Sequence, residues 1–572
     1  MPINNNFIAE TLNQYADLLA IKGSNPFKIR AYRSAARKIG NIPRQLSDMI
    51  KNDENLQQFS GIGEGIAEKI AEIVETGQLH QLEEIKEEVP KELLEVLKLD
   101  GLGPERVQDL YQKLNIQNME DLDKALNSQE IRKLEGFGPK TEANIRNSIE
   151  KKKRLGDRLL YNKVEEYIRP LIEYMEDCEI IHQLSLAGSF RRRKETIGDI
   201  DLLATGGEHK AIRNYYLAYE DIVDVISKGE TKSTVKLRGG LQVDLRIVDQ
   251  ENYGAALVYF TGSKDHNIRL RHLAREQGKK INEYGVYIEE TGESMGGATE
   301  EEVYNAIDLP YIIPELREDR GEIEAAQQNN LPNLIEQDDM KGDLQMHSTY
   351  SDGSSSIEDM AEAAQKLGYE YIAITDHSQR VTIANGLKEE EVLKEIEEID
   401  DLNKQFDDFK ILKAIEVDIL EDGTLDYSKE LLDKLDLRVC CVHYKFDLPH
   451  EKQMERIMRA MENPYFDIFG HPTARRLNDR EPIDIDMEKV IDKAIEENCY
   501  IELNASPERL DINDIYCKRA KEKGLKIVIS TDAHGPNQLQ NMKYGINQAR
   551  RGWLSPKDVL NTRSLNDFLK HL

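Results

Sequence analysis

Three aspartates carry the first chemical signal in this chain. Asp199-Ile200-Asp201 opens an apolar run, and because residues i and i+2 of a strand share a face, both carboxylates are expected to point the same way. Asp244 lies in Val243-Asp244-Leu245, a second apolar run with one inward charge. Three carboxylates converging between apolar strands repel one another, and burying them is costly unless cations sit among them. Two divalent ions about 3.5–4 Å apart would remove that cost and stabilise the attacking and leaving oxygens of a phosphoryl displacement. Upstream, Gly188-Ser189 allows a turn that hugs a triphosphate, and Arg192 can grip its oxygens. An Asp-x-Asp pair alone is usually solvated or caps a helix. Joined to Gly-Ser, the Arg191-Arg192 pair and a later strand aspartate, it points to nucleotidyl transfer.

The C-terminal half has a different donor set. Apolar runs repeatedly end on a metal-ligand residue: Thr375-Asp376-His377, Ile415-Glu416, Cys441-Val442-His443, Phe469-Gly470-His471 and Ser530-Thr531-Asp532-Ala533-His534, with His347 and Asp352 upstream. In α/β barrels the C-terminal ends of the strands form one rim, so these side chains are expected to converge. A single strand-end histidine is more often a hydrogen-bonded structural residue than a ligand. Five histidines with three carboxylates at one rim argue for metal, and imidazole with carboxylate suits zinc, manganese or iron. Cys441 shares a face with His443 and has two readings, ligand or buried core thiol, of which the second is preferred.

The elements that must position these residues are visible in the pattern. Alternating apolar residues predict strands at Leu184–Ala187, Ile200–Leu203 and Leu241–Leu245. Beyond Gly342, short apolar runs (Tyr371–Thr375, Ile411–Val417, Val439–Val442, Phe466–Phe469, Tyr500–Leu503, Ile527–Ser530) alternate with charged helices such as Glu389–Leu402 and Met487–Glu497, which implies a parallel sheet or barrel. From Leu316 to Lys341 the chain turns polar and acidic, which predicts a linker. In the first quarter, Gly61-Ile62-Gly63, Gly101-Leu102-Gly103 and Gly136-Phe137-Gly138 form an internal repeat, each opening a helical stretch. Such a turn aims free N–H groups outward, where a phosphate can sit.

At 572 residues several domains are expected, and 39% hydrophobic residues allow each a packed core. A formal charge of −30, from 77 basic and 107 acidic residues, excludes a uniformly basic coat. Local stripes remain: Lys151–Arg154, Arg191–Lys194 and the group Arg269, Arg271, Arg275, Lys279, Lys280, where a polyanion could bind and salt should weaken it steeply. No apolar run reaches the ~20 residues of a membrane span and the N-terminus lacks signal-peptide character, so a cytoplasmic protein is expected. Five cysteines with no Cys-x-x-Cys pair disfavour disulfides and zinc ribbons.

The palm residues above, followed by Tyr259-Phe260-Thr261-Gly262-Ser263, Asn267, Arg271 and Ile281-Asn282-Glu283-Tyr284, resemble the family X DNA polymerases, the polymerase beta-like repair enzymes, from the N-terminus to about Leu316. The resemblance implies that Asp199, Asp201 and Asp244 hold Mg2+ or Mn2+, that Gly188, Ser189 and Arg192 bind the incoming triphosphate, that Tyr259, Phe260 and Gly262 line the sugar pocket, that Asn267 touches the base edge, and that Arg271 faces the template. Lys264 departs from the family, whose eukaryotic repair enzyme carries an acid there. The glycine turns resemble helix-hairpin-helix clamps on the DNA backbone, which would use Gly61, Gly63, Gly101, Gly103, Gly136 and Gly138. Phe27–Arg33 also fits the family's N-terminal domain, and Lys69 falls where some members carry a Schiff-base lyase nucleophile. The partner lysine is Gly65 here, and a salt-bridged surface lysine is an equal reading.

From about Lys341 to Leu572 the chain resembles the PHP (polymerase and histidinol phosphatase) superfamily of metal-dependent phosphoesterases. The implied fold is a distorted (β/α)7 barrel with two or three Zn2+ or Mn2+ ions at His347, Asp352, His377, Glu416, His443, His471, Asp532 and His534. Gln345 departs from the usual His-x-His, and an amide is a poorer ligand than imidazole for zinc-like ions. The expected multidomain order is thus a helical lyase-like domain at 1–90, two further hairpins at 91–154, an α+β nucleotidyltransferase palm at 155–250, a thumb-type subdomain at 251–315, a linker at 316–340 and the PHP domain at 341–572. This order resembles the bacterial PolX type. It implies gap-filling, template-directed synthesis on gapped or nicked DNA from deoxynucleoside triphosphates by a monomer, with a 3′-5′ exonuclease or 3′-end phosphoesterase and an abasic-site endonuclease as a further option. The alternatives are a PHP nuclease whose polymerase half presents DNA ends, and a non-catalytic gap-binding scaffold.

Overall fold

The Gly-x-Gly repeats fold in the same way three times. The first glycine takes a left-handed backbone (φ +91° at Gly61, +82° at Gly101 and at Gly136), the second precedes a helix, and the middle residue (Ile62, Leu102, Phe137) is buried in the core of the unit. Burying that apolar plug forces the flanking glycines to the surface at the N-termini of the helices Glu64–Thr76, Pro104–Leu114 and Pro139–Leu155. The computed structural model describes residues 5–571 except 43, 53, 60, 98, 100, 156 and 157, and the side chains of the Lys151–Arg154 run lie outside the described residues. The chain forms two units, Met1–Asp157 and Arg158–Leu572.

The second unit begins with a mixed sheet of five strands, β1 (Ile181–Leu186), β2 (Asp199–Gly206), β3 (Ile222–Lys228), β4 (Lys232–Leu237) and β5 (Gln242–Ile247), in the order β1-β2-β5-β4-β3. The period-two alternation of β2 sends Ile200, Leu202 and Ala204 into a core shared with Val243, Leu245 and the helices Tyr161–Glu176 and His209–Leu217. Each buried Ile or Leu contributes about 1.5–3 kcal/mol, so the register is strongly set and Asp199 and Asp201 must face the other side. On that side Leu203 packs with Ala256 and Leu257 of the helix Tyr253–Thr261.

A three-stranded sheet, β6 (Lys279–Asn282), β7 (Gly285–Ile288) and β8 (Ser294–Gly296), follows with its helices. The segment expected to be a linker is packed. Its helix Glu322–Gln327 inserts Ile323 and Ala326 into the same core as Val303 and Tyr304. Arg317 is fully buried, with Nη1 donating to Glu300 at 2.8 Å. The acidity of the segment, read as solvent-seeking, instead supplies counter-charges to arginines.

Seven parallel strands complete the unit: β9 (Gly342–Asp343), β10 (Tyr371–Ile374), β11 (Lys410–Asp418), β12 (Leu437–Cys441), β13 (Ile468–Phe469), β14 (Tyr500–Asn504) and β15 (Ile527–Ser530), each paired with the next. A parallel bridge between Met346 and Ala533 and the Asn561 amide, donating to both Gly342 O and Ile529 O at 2.7 Å, bring the first and last strands together, giving a nearly closed barrel. Its interior is filled by Leu344, Tyr371, Ala373, Leu412, Ala414, Leu437, Val439, Cys441, Ile468 and Val528. Along β11 and β12 the inward column runs from Ala414 to Glu416 and from Val439 through Cys441 to His443, so apolar floor passes directly into polar rim.

Candidate active sites

In the palm, Asp201 and Asp244 are direct partners across the parallel strands β2 and β5, and Asp199 precedes on the same face. The side chain of Asp201 abuts the turn after β1. A Cβ added at Gly188 would stand 2.7 Å from Asp201 Oδ2 and would displace that carboxylate, and the left-handed backbone there (φ +61°) strains any other residue. Burial first, then the charge of Asp199, pushes Asp201 up to about 6, with Arg246 opposing. Asp244 is 5% exposed; its Oδ2 receives Lys232 Nζ at 2.6 Å and its Oδ1 has no partner. Three acids with two cations, Lys232 and Arg246, and one orphaned oxygen fit divalent ions.

Asp199 and Asp201 border a cavity of about 670 Å³ lined by Gly188, Ser189, Arg192, Tyr259, Phe260, Gly262, Asn267 and Arg271, the whole set singled out for the nucleotide. That volume suits a drug-sized or nucleotide-sized ligand. Asn267 Nδ2 donates to Tyr259 O at 2.7 Å, and Arg246 stacks on Phe260 at 4.0 Å. Arg158, Lys194 and Lys264 add positive charge to the wall. Arg158 carries no local motif, whereas Lys194 ends the Arg191–Lys194 run.

That run is not the free basic stripe expected of it. Arg191 is bidentate to Glu300 (2.8 and 2.6 Å), Arg192 pairs with Glu318 (3.0 Å), Arg193 with Glu315 (3.2 Å) and Lys194 with Glu318 (3.9 Å). Arg192 Nη1 also donates to Thr261 O at 2.5 Å, which ties the turn to the helix Tyr253–Thr261. Barrel residues brace the same turn: Arg551 donates to Glu318 (3.0 Å) and to Arg192 O (2.7 Å), while Arg475 pairs with Glu195 (2.6 Å).

The barrel rim gathers all eight expected ligands into three overlapping groups: His347, Asp352, His377 and His534; His347, Glu416 and Asp532; and Glu416, His443 and His471 with Cys441. Within each group the donor atoms lie within 4.8 Å of one another. Glu416, 0% exposed, sits between them. Its Oε1 is 2.9 Å from His471 Nε2 and 3.0 Å from His443 Nε2, and its Oε2 is 3.4 Å from His347 Nε2 and 3.3 Å from His377 Nδ1. Backbone turns aim the ligands: Asp532, at φ +54°, places its Oδ1 3.1 Å from His347 Nε2. Outer partners hold the ligands, Asp418 the His443 ring at Nδ1 (3.3 Å) and Glu502 the His471 backbone N–H (2.6 Å).

Burial opposes charge on His443 and His534, but the facing carboxylates outweigh it and lift both to about 9, while burial drives His377 down to about 3. His347 Nδ1, His377 Nδ1, Glu416 Oε2 and His471 Nδ1 are buried without a hydrogen-bond partner. Buried lone pairs aimed at common points are costly alone and favourable around cations, so the donor set fits metal.

A nucleotide-sized cleft beside paired strand aspartates, joined to a barrel of histidine and carboxylate ligands, defines a polymerase beta-type catalytic half carrying a PHP domain. Family models match in that order: a helix-hairpin-helix domain at residues 3–79, a SAM-like helix-hairpin-helix tandem at 93–151, the DNA polymerase beta thumb at 256–318 and a PHP domain at 343–506. Over 568 residues the chain is 40% identical to the DNA polymerase/3'-5' exonuclease PolX of Bacillus subtilis (strain 168), covering 98% of each. The chain belongs to the PolX family. Its barrel half is also 32% identical over 228 residues to a "Probable phosphatase" of Thermoanaerobacter sp. (strain X514), covering 38% of this chain and 88% of that protein. A "Probable phosphatase" of Caldanaerobacter subterraneus matches at 32% over 191 residues, covering 32% and 70%. Among the described residues no helix is long and apolar enough to cross a membrane.

Proposed function

We propose that this chain is a DNA polymerase that fills short gaps from deoxynucleoside triphosphates and trims 3′ ends with a separate 3′-5′ exonuclease in the barrel. The observation that carries the reading is the placement of Asp199 and Asp201 on the wall of the cavity that the triphosphate, sugar and base residues line. Divalent ions, Mg2+ or Mn2+ in the palm and Zn2+ or Mn2+ in the barrel, would supply charge neutralisation for the transferring phosphoryl group and an activated water respectively. Ser189 and the backbone of the Gly188 turn orient the triphosphate, Arg192 neutralises its oxygens, and the Tyr259–Gly262 segment packs the sugar. In the barrel, Glu416 shares its two oxygens between ligand groups, and the outer acids Asp418 and Glu502 orient imidazole and backbone. The helix-hairpin-helix turns offer outward N–H groups to the DNA backbone without reading sequence.

Lys69 is half-buried on the helix Glu64–Thr76, with Nζ donating to Gly65 O at 3.4 Å. A 5′-sugar lyase step there predicts a borohydride-trapped DNA adduct that disappears in Lys69→Ala. The principal test is one gapped, 5′-labelled primer substrate incubated with and without nucleotides. Extension with them and shortening without them are expected. Shortening alone would favour the nuclease that merely presents DNA ends, and binding without turnover would favour the scaffold.

A further inference from the structure

We infer that Cys441 and Gln345 complete one metal position of the barrel, giving it a sulfur donor and a preference for zinc. The inference rests on the reading of the rim as a metal centre. Cys441 Sγ lies within 4.8 Å of donor atoms of Glu416, His443 and His471, and no part of the residue is exposed. It stands on the inward column of β12, directly beneath His443 and above Val439, at the level where apolar interior gives way to ligands.

A thiol there would be ordinary core filling were it not for what faces it. Gln345 is 0% exposed, and both its amide atoms, Oε1 and Nε2, lack any hydrogen-bond partner. Burying an unpartnered primary amide is costly, because its hydrogen bonds to water are lost and nothing replaces them. The amide has a defined neighbour: a Cβ placed on Gly470 would lie 2.4 Å from Cys441 Sγ and 3.5 Å from Gln345 Oε1. Sulfur and amide oxygen thus face the same glycine, immediately before the ligand His471, with Val439 Cγ1 packed beside the sulfur. A sequence with imidazole at position 345 would bring its own nitrogen donor; here an amide oxygen and a thiolate take up the vacated coordination.

The chemistry sets the preference. Thiolate is the ligand form of cysteine, so binding expels the Cys441 proton to solvent. One sulfur, two imidazoles and carboxylate oxygen form a donor set that suits zinc and disfavours manganese, which takes oxygen donors. Gln345 Oε1 offers a further neutral oxygen.

Cobalt(II) substitution into the intact chain tests this, because cobalt reports site occupancy and sulfur ligation in separate bands. Expected are visible ligand-field bands together with a near-ultraviolet sulfur-to-cobalt charge-transfer band. Cys441→Ser should lose the charge-transfer band and keep the ligand-field bands, and Cys440→Ser should keep both. Ligand-field bands without a charge-transfer band in the parent would make Cys441 a core thiol and leave the metal-centre reading intact. No cobalt bands at all would overturn both. Persistence of the charge-transfer band in Cys441→Ser would also overturn the inference. Should Cys441→Ser fail to fold, cadmium-113 resonance of the unsubstituted protein decides: a strongly downfield line requires a sulfur donor, and only upfield lines exclude one. Gln345→Leu, which removes the amide oxygen at similar volume, should lower the metal retained after chelation by one ion per chain.

Discussion

Under the proposed function the palm and the barrel would solve the same problem, holding divalent ions for phosphate chemistry, with different donor sets. The palm offers only carboxylates, one exposed, one half-buried and one buried, with Lys232 as built-in counter-charge and a nucleotide-sized cavity alongside. The barrel interleaves imidazole with carboxylate around a buried Glu416 and orients the rings from behind. Hard oxygen donors on an open face bind ions weakly, so ions there would arrive with a substrate that brings its own phosphate ligands. Nitrogen donors in an enclosed rim would retain their ions between turnovers. The difference between a site completed by its substrate and a site complete in itself can be broken by substitution.

The largest expected effect is in the palm. Asp201→Ala should lower nucleotide incorporation by about 10³-fold or more, because metal stabilisation of transition-state charge is the principal catalytic contribution. Degradation of the same primer should be unchanged. Incorporation near the parent rate would remove the palm from the chemistry.

The reciprocal effect comes next. His377→Ala should lower 3′-end degradation by more than about 100-fold, since a direct ligand should cost more than the 10–100-fold of an outer partner. Extension of a clean primer should persist. If both activities fell together in a folded protein, the two sites would not be independent.

Smaller is the effect of Glu300→Gln, which distinguishes a palm turn wired to distant partners from a self-supporting barrel. Arg191 and Arg317 together outweigh burial and hold the Glu300 carboxyl at about 2. A folded value below the ordinary 4.5 means that the charged pair stabilises the protein fully above that pH, and the contribution is lost as pH falls through about 2. Removing the charge strands two arginines, one of them fully buried, for a loss of about 3 kcal/mol at neutral pH. Denaturant melts of parent and variant should differ most at pH 7 and converge below pH 4.5. Nucleotide KM should rise about tenfold by loosening the Gly188–Arg192 turn, with degradation unaffected. A pH-independent gap in the melts would mean that the carboxyl is not held low.

What could be read from the chain alone follows the range of the interactions. The hairpin glycines, the Asp-x-Asp strand and the strand-end ligands are local patterns, set by two or three neighbouring residues and by alternation. The partners of the arginine run were invisible because Glu300 and Glu318 lie 109 and 126 residues away from Arg191 and Arg192. The same blindness produced the linker: acidity between 316 and 340 looks solvated until the arginines it neutralises are in place. Gln345 registered as a weak substitute for histidine, since nothing in the local sequence places its amide beside Cys441 across the barrel floor.

The bracing between palm and barrel bears on how portable either half is. Glu165, Glu195, Glu315 and Glu318 on the polymerase side meet Lys543, Arg475, Arg550 and Arg551 on the barrel side. A polymerase cut free at residue 340 would lose those cations, baring Glu165 and Glu195 and leaving Glu315 and Glu318 to Arg192, Arg193 and Lys194 alone, next to the cavity that must attract a polyanionic template. Such a fragment should bind DNA more weakly than the whole chain, and added salt, which screens the exposed acids as well as the productive contacts, should narrow the gap. Lineages that discard the barrel would have to rewrite this face, whereas a barrel that lost its own ligands could stay on as a charge-matched buttress.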